Sequence, residues 1–346
     1  MVEAKKFANE LKQLNGALKA AEHVLITSPG VADGDSLGAQ LALRKMIRHR
    51  FPNCDVHIVN DEKLPQRYRF LPDVEFVESP ETFAASRGEV PFDVGLIVDG
   101  GIDRAGRVRG YYEKCKVRAF IDHHAVSIDY PYTIRIVEPS ASSTTELIYH
   151  ISQSSFFKTP LDSDICQHIY LGLIFDTGFF RHSNTTPEAL ELGAKLLRSG
   201  FDFTRVGERG MLERTFSSLQ LLAYTLSRAQ LRNDGKVIWS ALARNTLQAF
   251  HAADDDREGI IDHLFLTHGI QVAVLFSELP NEKTKVSFRS QGGVDVAEFA
   301  RSLTEHGGGH QKAAGANLEM PMEKAIENVL DKLDALLTNS AKCVQI

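Results

Sequence analysis

Short apolar runs that end in acidic residues constrain this chain more than any other feature. Phe92–Asp99 reads FDVGLIVD, and Val117–Asp122 reads VRAFID. His23–Ser28 and Asp55–Asn60 are two further runs of strand length. Helical patterns separate them. Phe7, Leu11, Leu14 and Leu18 recur at helical spacing within 3–21, and Leu37–His49 is another helix. Strands that are apolar throughout and alternate with helices predict a parallel sheet covered on both faces. Ligands of such sheets bind beyond the carboxyl ends of the strands. Asp33, Asp99 and His123 all fall at or just after such ends, so the pattern gathers them on one edge.

Helices are expected at 143–153 and 161–175. The apolar stretch Ile169–Phe175 runs into Asp176-Thr177-Gly178. Residues 187–229 read as long helices with no strand signal. Strands resume after the polar turn Arg232–Gly235, at Lys236–Leu242, Ile270–Glu278 and Lys283–Ser290, and a helix closes the chain at about 322–338. The expected class is α/β: a parallel-sheet domain over 1–190, a helical linker over 191–232, and a smaller α+β domain over 233–346. The 187–229 helices offer a surface for a homodimer.

A length of 346 residues suits such a two-domain plan. The net charge of −6 implies no broad basic face, so a small anionic ligand in a local pocket fits better than long duplex nucleic acid. Cys54, Cys115, Cys166 and Cys343 form no CxxC pair and read as reduced thiols. With neither a signal peptide nor an apolar run of about 18 residues, the sequence predicts a cytoplasmic protein with no membrane partner.

Aspartates and neutral histidines are ligands for a divalent ion such as Mn²⁺. Asp33 and Asp35 sit two apart around Gly34, and carboxylates that close repel unless a cation lies between them. Asp99, His123 and Asp176 bring the candidates to five, enough for two ions sharing a carboxylate. Two ions about 3.5–4 Å apart suit an in-line phosphoryl displacement.

These residues carry a resemblance to the DHH phosphoesterase superfamily. Its signatures match Asp33-Gly34-Asp35-Ser36-Leu37-Gly38, Val98-Asp99, Asp122-His123-His124-Ala125 and Phe175-Asp176-Thr177-Gly178-Phe179-Phe180. The second half resembles the DHH-associated domain, through Val286–Ser290, Val294-Asp295-Val296 and Gly307-Gly308-Gly309-His310 before Ala313-Ala314-Gly315. Glu138–Glu146 also matches, as do Arg181 and Asn184-Thr185. The likeness is strongest to the NrnA-type branch, which degrades very short oligoribonucleotides and dephosphorylates phosphoadenosine phosphate.

The resemblance implies an enzyme using two Mn²⁺ ions, with Mg²⁺ or Co²⁺ as substitutes. One ion is expected on Asp35, Asp99, His123 and Asp176, and the other on Asp33 and Asp99. His124 would stand behind the ions or touch phosphate, and Asp122 would orient an imidazole. Arg289, Ser290, Gly308, Gly309, His310 and Arg181 would hold substrate, a short RNA or nucleotide. His306 stands where relatives often carry glycine and is expected to cap its loop. Arg104 and Arg107 read as a solvated face, and Trp239 and Phe288 as core.

Two positions depart from the NrnA-type pattern. Pro29 stands where a metal-binding histidine is usual, four residues before Asp33, and Ala32 replaces a proline. One reading is an active enzyme in which water completes the first ion's shell. The other is a weakened catalyst that binds nucleotide.

Overall fold

The apolar runs become strands of a six-stranded parallel sheet in the computed structural model, which describes residues 4–88, 91–124, 130–291, 293–305 and 307–343. The chain divides into two compact units, Met1–Glu213 and Arg214–Ile346. The first unit's strands are β1 (His23–Thr27), β2 (Asp55–Val59), β3 (Val77–Glu78), β4 (Val94–Val98), β5 (Val117–Asp122) and β6 (Ile134–Val137). They lie in the order β3-β2-β1-β4-β5-β6. The chain therefore winds outward from β1 in one direction and from β4 in the other. The crevice between their carboxyl ends is the topological switch point of a doubly wound sheet.

Helices cover both faces. On one lie α1 (Ala8–Ala20), α2 (Gly34–Arg50), α5 (Thr144–Gln153), α6 (Ser163–Asp176) and α7 (Pro187–Leu197), packed with Val24, Ile26, Leu96, Val98 and Ile121 in one core. Leu11, Leu14 and Leu18 of α1 are buried, each worth about 1.5–3 kcal/mol relative to exposure. On the other face lie α3 (Pro80–Arg87) and α4 (Arg109–Glu113). There Phe83 and Tyr112 pack with Leu25, Ile97 and Phe120. A short helix, α8 (Phe203–Gly207), continues into a π-helical turn, Glu208–Leu212.

The second unit begins before α9 (Phe216–Ser227) and holds a sheet in the order β11-β12-β10-β9-β8-β7. Its strands are β7 (Gln230–Arg232), β8 (Val237–Leu242), β9 (Val272–Leu279), β10 (Lys283–Ser290), β11 (Gly308–His310) and β12 (Ala313–Leu318). Only the β8–β9 pair is parallel among these. Leu221 of α9 packs with residues of α10 (Arg244–Ala249) and α11 (Ile260–Phe265) in one core. Residues of α12 (Val296–Leu303) and α13 (Met322–Cys343) pack with Phe276 and Phe288 in another. Of the two aromatics expected in the core, Phe288 is fully buried in it, and Trp239 is half-buried against it and meets Phe276 edge-on.

Local structure corrects the sequence reading in three places. The helix expected from Leu37 begins at Gly34, because Asp33 caps it: Asp33 Oδ1 accepts from the backbone N–H of Asp35 and Ser36, and the Ser36 hydroxyl oxygen accepts from the Asp33 N–H. The 187–229 stretch is four shorter helical pieces. The glycine-rich segment is a strand, β11, paired with β12. At Gly309, φ is +138°, and a Cβ would lie 2.5 Å from the Ala313 carbonyl oxygen, so backbone proximity as well as ligand access accounts for a glycine there.

Candidate metal centre

Four segments deliver carboxylates and imidazoles to the switch point. Asp33 and Asp35 begin α2, Asp99 follows β4, His123 and His124 follow β5, and Asp176 ends α6. Asp99 adopts φ +59°, a left-handed conformation that costs a non-glycine residue energy. Its N–H donates to the Ile121 carbonyl of the neighbouring strand, which ties the strained residue to β5.

His123 Nε2 lies 2.9 Å from Asp176 Oδ2 and 3.9 Å from Asp99 Oδ1. His124 Nδ1 lies 3.6 Å from Asp99 Oδ1. Ligand atoms of Asp35, His123 and Asp176 all fall within 4.8 Å of one another, as do those of Asp99, His123 and His124. His123 thus belongs to both groups. Its Nδ1 faces the Ala141 carbonyl at 3.2 Å, which assigns the proton to Nδ1 and leaves a lone pair on Nε2 for an ion. Asp122 serves the other imidazole: its Oδ1 is 2.7 Å from His124 Nδ1. Asp33 enters neither group, and its Oδ1 is committed to the helix cap.

The electrostatics explain why the centre suits a cation. Burial raises the proton affinity of Asp99 well above the carboxylate range, and Asp33, Asp35, Asp176 and Asp122 push it further. Burial also raises Asp33, and Asp35 adds to it. Asp176 is raised by burial and by Asp35, against the pull of His123. Burial opposes protonation of His123, but Asp176, Asp35 and the Ala141 carbonyl together outweigh it and raise the imidazole's proton affinity. Carboxylates held this close while buried fit a divalent ion, which would replace the protons.

Two supports escaped the sequence reading. Thr144 and Thr145, at the start of α5, donate their backbone N–H groups to Asp35 Oδ2 and Oδ1 at 2.6 and 2.9 Å. The Thr144 hydroxyl donates to Asp99 Oδ1 at 3.2 Å. The positive end of a helix therefore holds Asp35. The Ser143-x-x-Glu146 capping signature marks where that helix starts but cannot reveal a partner in α2. Gly172 is the second support: a Cβ there would meet Asp35 Oδ1 and Thr145 Oγ1 at 2.4 Å.

Pro29 is buried and packs beside Gly100, the residue after Asp99. Arg107 pairs with Asp61 and Glu81, in line with a solvated face. Arg181 is exposed, with its Nε donating to the Gly178 carbonyl at 2.7 Å. In the second unit, Arg289 Nε pairs with Asp262 at 2.7 Å, and the buried Ser290 hydroxyl donates to the Val294 carbonyl at 2.8 Å. Gly308 has open space at its Cα. Ala125, His306 and the His310 side chain lie outside the described residues.

This fold and clustering of residues define a class. Residues 23–173 match the DHH family N-terminal domain and 234–339 match the DHHA1 domain. The chain belongs to the DHH family, in its two-domain DHH–DHHA1 form. Within it, the chain is similar to the bifunctional oligoribonuclease and PAP phosphatase NrnA of Thermus thermophilus, at 28% identity over 96% of this chain and 94% of that protein. An exopolyphosphatase-related protein from Bacteroides fragilis shares the fold, with a TM-score of 0.86 at 22% identity over 95% of this chain and 98% of that one. RecJ of Thermus thermophilus in complex with Mn²⁺ has a TM-score of 0.56 at 17% identity, over 95% of this chain and 55% of that one. Among the described residues, no helix is long and apolar enough to cross a membrane.

Proposed function

We propose that the protein is a divalent-metal-dependent phosphoesterase that hydrolyses short oligoribonucleotides, di- to penta-nucleotides, to mononucleotides, with Mn²⁺ as its ion. The observation that carries this reading is the convergence of Asp35, Asp99, His123, His124 and Asp176 in two overlapping groups at the switch point. When bound, a pair of ions supplies a water nucleophile at neutral pH and neutralises charge on the phosphoryl oxygens.

The chain's own residues prepare that chemistry. Asp35, Asp99, His123 and Asp176 would hold one ion, and Asp33 and Asp99 the other. The Thr144 and Thr145 N–H groups hold both oxygens of the Asp35 carboxylate in place. Ala141 selects the His123 tautomer, and Asp122 orients the ring of His124, which would stand behind the ions or touch a phosphoryl oxygen. Arg289, Ser290, Gly308, Gly309, His310 and Arg181 would bind the rest of the nucleotide. For Arg289 this requires exchange of its half-exposed partner Asp262 for phosphate.

The name of the Thermus relative supports a second activity, removal of the phosphate from phosphoadenosine phosphate. A linear dinucleotide acting as a second messenger would be the same kind of substrate as a short RNA. Pro29 favours a different reading, a weakened catalyst that retains nucleotide.

Incubation with Mn²⁺ and labelled dinucleotide, pentamer and long RNA separates the cases. Rapid loss of the short substrates is expected. Cleavage of the long strand alone would overturn the proposal. Tight dinucleotide binding without turnover at any Mn²⁺ concentration would favour the binding protein. Phosphoadenosine phosphate run alongside measures the second activity.

A further inference from the structure

A second cluster lies at the amino ends of the strands, the opposite edge of the sheet from the aspartates. His23 opens β1, Asp55 opens β2 as its register partner, and His57 follows two residues later on the same face. One ligand atom from each lies within 4.8 Å of the other two. His57 is 3% exposed, and its Nε2 and the Nδ1 of His23 are both buried with no hydrogen-bond partner. Two orphaned ring nitrogens are costly in a folded core unless something occupies them.

The chemistry of these atoms is that of a ligand set. Burial lowers the proton affinity of the His57 imidazole, against the opposing influence of Asp55. His57 Nε2 is 3.3 Å from Asp55 Oδ2. Bonds of about 2.0–2.1 Å on a tetrahedral ion place ligand atoms roughly 3.3–3.4 Å apart, so this pair already has the needed spacing. Arg87 Nη1 donates to the same oxygen, Asp55 Oδ2, at 2.6 Å, and so orients the carboxylate from its outer side. Phe83 and Phe92 meet the His57 ring edge-on at 5.3 and 5.6 Å and form an apolar wall behind it.

We infer that His23, Asp55 and His57 form a further divalent-metal site, distinct from the carboxylate-rich centre, that takes Zn²⁺ with water as its fourth ligand. Two imidazoles and one carboxylate suit Zn²⁺, whereas the aspartate-rich centre suits Mn²⁺. Because β1 and β2 each contribute, the ion clips their amino ends together. It stands a strand's length, roughly 15 Å, from the residues that follow β1 and β4.

Equilibrium dialysis of the full chain against Zn²⁺, with elemental analysis, counts the ions. His23→Gln and Asp55→Asn change partly exposed groups and should each lose one Zn²⁺ per chain while Mn²⁺-supported hydrolysis stays at the wild-type rate. Asp99→Asn should keep that ion. With Co²⁺ as a spectroscopic probe, the visible band of a tetrahedral site should disappear in His23→Gln. Equal Zn²⁺ stoichiometry and an unchanged Co²⁺ spectrum in His23→Gln and wild type would overturn the site. So would loss of all Zn²⁺ in Asp99→Asn.

Discussion

The backbone N–H of Thr144 donates to Asp35 Oδ2 at 2.6 Å, joining the first turn of α5 to the first turn of α2. The same residue reaches Asp99 through its hydroxyl, so a single threonine steadies two of the carboxylates. Thr144→Val keeps the N–H and removes the hydroxyl bond. Partners behind metal ligands commonly affect metal affinity 10–100-fold. An Mn²⁺ titration of activity should therefore show about a tenfold higher requirement, with Thr144→Ser restoring the wild-type value.

Gly172→Ala tests how tightly α6 must approach the site. Its methyl would strike Asp35 Oδ1 and Thr145 Oγ1, both held by hydrogen bonds. Overpacking of this kind costs about 1–3 kcal/mol. Thermal denaturation should show a lowered midpoint, and hydrolysis should fall because the displaced atom belongs to Asp35. Unchanged stability and rate would mean that α6 can withdraw without cost.

The acidic cluster also sets a pH dependence. Folding raises the proton affinity of Asp33, Asp99 and Asp176, the last to about 8. Without metal, the native state then binds more protons than the unfolded chain. The stability these groups contribute is fully present below the ordinary carboxylate range and is lost as pH rises through about 8. Metal ions need deprotonated ligands, so their affinity increases over the same interval. Melting temperatures at about pH 6 and about pH 8.5 should show the metal-free protein weaker at the higher pH and Mn²⁺ stabilising it more there. The opposite order would contradict the assigned environment of these groups.

Most of the first sheet was legible because β1, β4 and β5 are continuous apolar runs, the mark of strands buried on both faces. The sequence reading passed over β6, since four residues including an exposed Arg135 carry too short a signal. It also passed over β11 and β12, whose glycines and alanines are poor strand formers and become strand only by pairing with β10 and with each other. Motifs pointed to Asp35, Asp99, His123 and Asp176, which the fold brings together, because their residue types bear chemistry. The contacts of Thr144 and Gly172 stayed hidden because they depend on tertiary packing between distant segments. Asp122 was expected to orient an imidazole, and the geometry identifies that imidazole as His124.

Pro29 gives a prediction in the gaining direction. It sits against Gly100, next to Asp99. Pro29→His should lower the Mn²⁺ concentration for half-maximal hydrolysis, measured over a titration. No shift would mean that water or another side chain already completes the ion's shell.

The most direct test is Mn²⁺-dependent hydrolysis of a labelled RNA dinucleotide by the wild type and by Asp99→Asn, with circular dichroism to show that both are folded. Asp99 lies at the meeting point of the clustered acids and imidazoles, and metal electrostatics is worth several kcal/mol. Fast turnover by the wild type and a fall of roughly 10³-fold or more in the variant is the expected result. Wild-type turnover by a folded Asp99→Asn protein would contradict the assignment of this centre as the seat of the chemistry.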